Sequence, residues 1–252
     1  MKIIAGRPVE QKKNRKLRGY CVAAKSAKEG EIWVYEEIGE GFFGGISAKQ
    51  FAKDVKALGS VAKITVRLHS PGGDVFDAVT MYNILKQHKA EVLMNIDGEA
   101  LSAASMLAMA GDEILMAKNA IMMIHDAWTI AIGPAEKMRR TAEMLEKVNA
   151  TIVRTYADRV TIDEAEIIQM MSDESWIDAE QAVAMGFADG ITEELAVAAY
   201  FDTTKFKYKN APKRIEAEAL VPPANDIRTK LARMQMASQR ANRAAGTPAP
   251  RH

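Results

Sequence analysis

The chain has 252 residues, a length that allows one large domain or two small ones. Its 34 Lys and Arg residues nearly balance its 33 Asp and Glu residues, so no overall field points to nucleic acid or to a membrane surface. Of all residues, 48% are apolar, which is enough to bury a core. The single cysteine, Cys21, excludes an internal disulfide and lacks the companion ligands of a zinc site.

The same numbers favour a cytoplasmic protein. One cysteine fits a reducing compartment. The apolar run at the N-terminus is too short for a signal peptide, and no run approaches the roughly 18 apolar residues of a membrane span. We therefore expect a cytoplasmic protein with no membrane partner.

Strand and helix patterns alternate through the first half of the sequence. A basic, polar stretch predicts a flexible arm over residues 1–30. Apolar and β-branched runs then predict strands over 31–39, 62–69, 90–97, 113–117 and 120–125, and the runs between them predict helices over 46–58, 75–88 and 102–111. This alternation predicts an α/β fold with a mainly parallel sheet covered by helices.

Side-chain spacing supports these helices. Ser47 and Gln50 have the spacing of a capping box at the start of the first helix. The second carries an apolar stripe made of Val75, Val79, Tyr82 and Leu85. The third is apolar on nearly all sides, which indicates burial. Further helices are expected over 134–159, 162–171 and 178–186, with Gly186 placed to end the last one.

Two stretches could supply a nucleophile and hold an oxyanion. In "HSPGGD", His69 to Asp74, paired glycines between a strand and a helix can bring backbone N–H groups close to a ligand, or can simply allow a tight turn. In "GEALSAAS", Ser102 falls at the first turn of a buried helix, beside free N–H groups. Ser105 lies one turn further on and is expected to pack. Taken alone, both serines also suit ordinary helix capping and packing.

Two further positions could complete a serine hydrolase. His125 ends an apolar strand, where it could act as a general base or be satisfied by the backbone. Asp173 and Glu174 follow a helix, and either acid could orient an imidazole or lie in a solvated turn. The chain thus carries oxyanion donors, nucleophile, base and acid in the order that such an enzyme needs.

Together these motifs resemble the Clp protease proteolytic subunit. The resemblance rests on "SPGGDVFDAVTMYNIL", "GEALSAASMLAMAG", "MMIH" and "WIDAEQAVAMGFADG", and it covers roughly Ile32 to Ile191. The sequence looks most like the related head-maturation proteases of phages and prophages. The resemblance implies a spiral of repeated β-β-α units with a long handle helix, and a serine-type endopeptidase that needs no cofactor or metal.

The resemblance also implies site residues. It puts the nucleophile at Ser102, the base at His125, and the oxyanion N–H groups at Gly73 and Ala103. Counting back from "AEQAVAMGFAD" puts the acid at Glu174, and Asp173, one residue earlier, stays open as the alternative. The segment that pairs with an extended substrate corresponds to residues 128–133, where Trp128, Ile130, Ile132 and Gly133 are the expected contacts.

The domain organisation expected from the resemblance is a flexible arm (1–30), a protease domain (31–209) and a basic tail (210–252). The tail is expected to stay mobile or to order against an acidic partner. Subunits are expected to form homo-oligomeric rings, heptameric or stacked, in the host cytoplasm or in a phage procapsid. Capsid or scaffold protein is the expected substrate. "YCVAAKSAKEGEIW" does not resemble the family's axial-loop region, which argues against docking to a Clp ATPase.

Three other hypotheses are set against this one. A crotonase-type enzyme shares the spiral fold and the oxyanion hole, and it acts on acyl-coenzyme A thioesters without a serine nucleophile. A catalytically inactive shell or scaffold protein would keep the fold and lose the acid. A relative of the signal-peptide peptidases is disfavoured, because those enzymes use a serine–lysine pair and are usually membrane-anchored.

Overall fold

The computed structural model describes residues 2–6, 19–40, 45–193, 208 and 210, with the backbone alone for 2–6 and 19. By its contacts the chain divides into two units, Met1–Ala211 and Pro212–His252, and every described residue belongs to the first. Apart from Asn210, the expected tail over 210–252 lies outside the described residues, so that part of the domain organisation stays a prediction.

The described residues form nine strands and six helices. The strands are β1 (Lys2–Gly6), β2 (Gly19–Ala24), β3 (Glu29–Tyr35), β4 (Lys63–Ser70), β5 (Glu91–Leu101), β6 (Glu113–Ala117), β7 (Ile121–Ile124), β8 (Ser175–Asp178) and β9 (Gly190–Thr192). The helices are α1 (Ala48–Leu58), α2 (Val75–Lys86), α3 (Ala103–Ala108), α4 (Ala135–Ala157), α5 (Glu164–Ser172) and α6 (Ala179–Met185). None of these helices is long and apolar enough to cross a membrane.

One sheet contains all nine strands, in the order β1-β2-β3-β4-β5-β6-β9, with β7 beside β5 and β8 beside β7. The pairs from β3 to β6, the β6–β9 pair and the β5–β7 pair are parallel. The β1–β2, β2–β3 and β7–β8 pairs are antiparallel. Helical crossovers connect the consecutive parallel strands β3, β4 and β5, as such pairs require. The prediction of a mainly parallel α/β sheet is confirmed.

Strand β5 changes partner halfway along its length. Its first half, Leu93 to Ile96, pairs with β6, and its last residues, Glu99 to Leu101, pair with β7. The change occurs at Asp97 and Gly98, between the two pairings. β6 and β7 pair with the same edge of β5, one after the other, so the sheet opens between them at Asp97 and Gly98. Beyond this point the carboxyl ends of β5 and β7 lie side by side.

The core lies between the sheet and the helices packed on it. Every residue of α3 is buried, as its all-apolar pattern predicted. Helix α4 is different, because its buried residues, Ile152, Val153 and Tyr156, are all close to its C-terminus. Its N-terminal two thirds are exposed or half-buried, which matches the expectation of a long helix that projects from the domain.

Three local predictions are wrong. Part of the expected arm over 1–30 is strand, because β2 pairs antiparallel with β3 and β1 with β2, and Val22 and Ala23 are buried in β2. Ser47 is the N-cap of α1, but its side chain makes no capping hydrogen bond. The Gln50 side chain does not return to the N-cap either and donates to Asp54, one turn later. The buried face of α2 is centred on Ala78, Met81 and Leu85 and not on the predicted stripe, whose Val75, Val79 and Tyr82 pack against the core but are only half-buried.

Candidate active site

The parallel register of β5 and β7 brings Ser102 and His125 together. The last pair of these strands is Leu101 with Met123. Ser102 is the next residue after Leu101, and His125 is the second residue after Met123. The Ser102 N–H donates to the Met123 carbonyl at 2.8 Å, which continues the ladder. The His125 Nε2 atom lies 2.7 Å from the Ser102 Oγ atom. This is the distance at which an imidazole can take a proton from a hydroxyl.

Ser102 is held in a strained backbone conformation. Its φ is 55° and its ψ is −126°, in a region that non-glycine residues rarely adopt. The Ser105 hydroxyl donates to the Ser102 carbonyl at 2.5 Å and also lies 2.8 Å from the Tyr156 hydroxyl of α4. Ser105 therefore packs, as expected, and it also links the backbone of Ser102 to α4.

The turn after β4 presses against this strained residue. Gly72 has a φ of +90°, and a Cβ atom there would lie 2.5 Å from the Leu101 carbonyl oxygen. Gly73 has a φ of +143°, and a Cβ atom there would lie 2.1 Å from the Ile38 carbonyl oxygen. Both positions require glycine for space and for conformation. The turn thus runs in contact with the backbone that carries Ser102.

The residues that the resemblance implied as oxyanion donors lie around the same cleft. Ala103 is the first residue of α3, where helix geometry provides no acceptor for the N–H. Gly73 belongs to the turn just described, and both residues line the same cavity as Ser102. The assignment of their N–H groups to the oxyanion stays a prediction.

The antiparallel register of β7 and β8 favours Glu174 over Asp173 as the partner of the histidine. The last pair of the ladder is Ile124 with Ser175, and an extension of the same register by one residue would set Glu174 opposite His125. Glu174 is only 7% exposed and has a φ of 53°. Asp173 is exposed, and its carboxylate accepts from the Gln169 side chain. Of the two acids, only Glu174 is buried.

A cleft of about 330 Å³ opens at these residues. Its floor is apolar and is made by α3 and α4, through Met106, Val148, Ile152 and Tyr156. An apolar floor of this kind suits an aliphatic or aromatic group. No set of three or more His, Cys, Asp or Glu side chains within the described parts of the chain is placed to hold a metal ion.

The outer wall is the segment 126–133, called here the cleft loop. Asn149 of α4 holds its start, because the Asn149 side chain accepts from the Ala127 N–H at 2.8 Å and donates to the Asp126 carboxylate at 3.0 Å. Trp128, which lines the cleft, and Ile130 and Ile132 further along the loop are exposed by 58%, 79% and 82%. Gly133 follows with a φ of +155°. Exposed apolar side chains of this size indicate a surface that contacts another polypeptide.

Two residues that also belong to the site were not predicted from the sequence. Tyr208 lines the cleft, and the Asn210 backbone N–H donates to the Glu174 carboxylate at 2.7 Å. Both come from the region beyond the motifs, where the composition changes and no spacing relates a residue to the rest of the chain. Only contacts across more than 30 positions reveal them.

A buried ionic cluster near the site was also not foreseen. The Asp97 carboxylate, at the point where β5 changes partner, accepts from Arg67 at 2.7 Å and from the Tyr35 hydroxyl at 2.5 Å. Burial raises the pKa of Asp97, and these two donors oppose that effect. The three side chains bridge β3, β4 and β5, and they stabilise the place where the sheet opens.

Comparisons with known proteins agree with this geometry. The family model described as Clp protease matches residues 13–195. The ATP-dependent Clp protease proteolytic subunit of Ligilactobacillus salivarius is 29% identical over 176 residues, which are 69% of this chain and 88% of that protein. The subunit of Leuconostoc citreum is 26% identical over 187 residues, or 73% and 92%. The subunit of Deinococcus radiodurans is 23% identical over 188 residues, or 74% and 91%. The chain belongs to the Clp protease family.

Proposed function

We propose that this protein is a serine endopeptidase that hydrolyses peptide bonds with Ser102, His125 and Glu174. The observation that carries the proposal is the 2.7 Å contact between the His125 Nε2 and Ser102 Oγ atoms, at the edge of a cleft with an apolar floor. A nucleophile and base at hydrogen-bond distance, with N–H donors beside them, form the arrangement that acyl transfer needs.

The first half of the reaction follows from the positions of these groups. The Ser102 Oγ atom attacks the carbonyl carbon of the scissile bond while His125 Nε2 takes the hydroxyl proton. The N–H groups of Ala103 and Gly73 stabilise the negative charge that develops on the carbonyl oxygen. When the intermediate collapses, His125 gives its proton to the leaving amine nitrogen, and the acyl group stays on Ser102.

The second half repeats these steps with water. His125 takes a proton from a water molecule, the resulting hydroxide attacks the acyl-enzyme carbonyl, and the Ser102 oxygen leaves with the proton. Glu174 is proposed to stabilise the imidazolium that forms twice in the cycle, because it is buried and directly precedes β8, which pairs with the strand that ends before His125. Its burial and its register, which Asp173 does not share, support this choice of acid.

Substrate is proposed to bind as an extended chain along the cleft loop, by strand addition. Its side chain before the scissile bond would enter the cleft over Met106, Val148 and Ile152, so we expect a preference for apolar residues there. The proposed substrate is capsid or scaffold protein of a phage, cleaved in a host cytoplasm or a procapsid. The exposed apolar side chains of the cleft loop and the projecting part of α4 support assembly into homo-oligomeric rings.

The experiment is labelling with a fluorophosphonate probe, followed by peptide mass spectrometry, on wild type and Ser102→Ala. Label on Ser102 of the wild type, and none on the variant or on unfolded wild type, is the expected result. Folded, assembled protein that takes no label would refute the active-peptidase proposal in favour of the inactive shell protein. If that unlabelled protein also turns over acyl-coenzyme A, the crotonase-type enzyme is favoured over the shell protein, because it needs no serine nucleophile.

A further inference from the structure

Two residues beyond the family match contribute to the site. The match ends at residue 195, yet Tyr208 lines the cleft together with Ser102 and His125. The Tyr208 ring lies edge-on to the His125 ring, with centroids 5.7 Å apart and planes at 78°. It makes a similar contact with Trp176 at 5.8 Å. Edge-to-face contacts of this kind hold a ring in a defined orientation.

The second residue, Asn210, binds the proposed acid directly. Its backbone N–H donates to Glu174 Oε1 at 2.7 Å, and its side-chain amide donates to the Asp173 carbonyl at 2.6 Å. The Trp176 indole N–H reaches the same Glu174 oxygen at 3.4 Å. One carboxylate oxygen is therefore held by donors from two separate parts of the chain, and the side-chain amide anchors Asn210 in place.

An orienting contact matters here because Glu174 is an unusual residue to carry the acid. It has a positive φ, and a glutamate side chain has one more rotatable bond than an aspartate side chain. A carboxylate can stabilise an imidazolium only when its plane and distance suit the ring. A hydrogen bond from a backbone N–H to a charged oxygen is strong enough to fix both.

On this basis we propose that Asn210 is a positioning residue for the catalytic acid, acting through its N–H bond to Glu174. Tyr208, two residues earlier in the chain, packs against the His125 ring. The proposal rests on the proposed function. The protease site is thus completed by a segment that the family match does not include.

Tyr208 completes the site rather than blocking it. Its hydroxyl donates to the Pro71 carbonyl at 2.7 Å, just before the Gly72–Gly73 turn. Burial, together with the nearby Glu174, Glu99 and Glu37, raises the pKa of this phenol, so it stays protonated and remains a donor. The Ser102–His125 contact is formed with Tyr208 in place, and the cleft remains open beside it.

The test uses two variants of Asn210 in the full-length chain. Asn210→Pro removes the backbone N–H and the side-chain amide together, whereas Asn210→Ala removes only the amide that anchors it. Each variant is made in the wild type and in Glu174→Ala, where no carboxylate remains to be positioned. The readouts are kcat and KM on a peptide, the rate of fluorophosphonate labelling at Ser102, and the melting temperature.

We expect Asn210→Pro to lower kcat about 10- to 100-fold with little change in KM, because a hydrogen bond to a charged group is lost. Asn210→Ala should cause a smaller loss in the same parameter. In the Glu174→Ala background both losses should shrink to less than about threefold, since residues that act as a unit are not additive.

The proposal is overturned if either loss persists undiminished without Glu174, since that result means a structural role. Unchanged kcat in both Asn210 variants also overturns it. If Asn210→Pro does not fold, the same comparison is made with Asn210→Ala alone. Labelling of Ser102 in the wild type is measured first, so a failure of the proposed function is seen before any Asn210 variant is compared.

Discussion

A single methyl group at Gly72 tests whether the turn after β4 controls the nucleophile. In Gly72→Ala the new Cβ atom would lie 2.5 Å from the Leu101 carbonyl oxygen, 2.8 Å from the Ser102 Cβ atom and 3.1 Å from the Ala103 nitrogen. All three contacted atoms are backbone atoms or a Cβ atom. They belong to the short segment that carries the Ser102 hydroxyl and the Ala103 N–H, one of the proposed oxyanion donors. No flexible side chain can move to relieve the overlap.

Two costs follow from this geometry. The φ of +90° strains any residue other than glycine by about 1–3 kcal/mol. Bringing the closest contact from 2.5 Å out to an ordinary distance of 3.4 Å also requires a displacement of about 0.9 Å between this Cβ atom and the Leu101 carbonyl, which belongs to the peptide bond before Ser102. Since a misplacement of about 1 Å can cost roughly 10²-fold in rate, we expect kcat/KM to fall at least about tenfold.

Gly59→Ala is the matched control. Gly59 also has a positive φ, +71°, but a Cβ atom there meets nothing within 4 Å. It should lose about 1–3 kcal/mol of unfolding free energy in urea and keep its kcat/KM. Urea titration of both variants measures the backbone strain that they share. Peptide hydrolysis measures the displacement of the Ser102 segment, which only Gly72→Ala should cause. Full activity in a folded Gly72→Ala protein, with intact Ser102 labelling, would refute the reasoning.

Three further outcomes are expected. Tyr156→Phe should lose about 1 kcal/mol of unfolding free energy in urea, because the 2.8 Å contact with the Ser105 hydroxyl disappears, while kcat/KM falls less than about tenfold. Asn149→Ala should raise KM for a peptide several-fold with kcat nearly unchanged, because the start of the cleft loop loses its side-chain acceptor. The Cys21 thiol should react more slowly with a disulfide reagent at pH 8 in folded than in unfolded protein, because burial and Glu31 raise its pKa and less thiolate is present.

Each of these outcomes has a result that would contradict it. An unchanged urea midpoint in Tyr156→Phe would mean that the hydroxyl contact contributes nothing. A loss confined to kcat in Asn149→Ala would place that residue's role at the chemical step and not in substrate binding. For the thiol, removing the acidic neighbour with Glu31→Gln should speed the reaction, and equal rates in folded and unfolded wild type would show that its pKa is not raised.

Most of the secondary structure was predictable because it depends on local patterns. The apolar run before Gly98 and the all-apolar stretch after Ser102 predicted a strand and a buried helix, and the structure has both. The same reasoning missed β1 and β2, which depend on the pairing of β1 with β2 and of β2 with β3. Short strands of mixed composition have weak propensity, so pairing and burial decide them.

The sequence by itself determined the family, the order of the motifs and the two residues that the site is built on. Ser102 and His125 end apolar strands, and a chain with this pattern has few ways to arrange those strands in one sheet. Their contact then depends only on which strands are neighbours. The roles proposed for these residues remain predictions until the labelling experiment is done.

Only the tertiary structure distinguishes the surroundings of Glu174 from those of Asp173 and brings Asn210 to Glu174. Adjacent acids have the same local signal, and only the folded chain buries Glu174 while it leaves Asp173 exposed. Asn210 and Glu174 are 36 positions apart, and no periodicity or spacing connects residues at that separation. Such contacts depend on the closure of the whole domain, because its packing determines which distant backbone donor meets a given carboxylate.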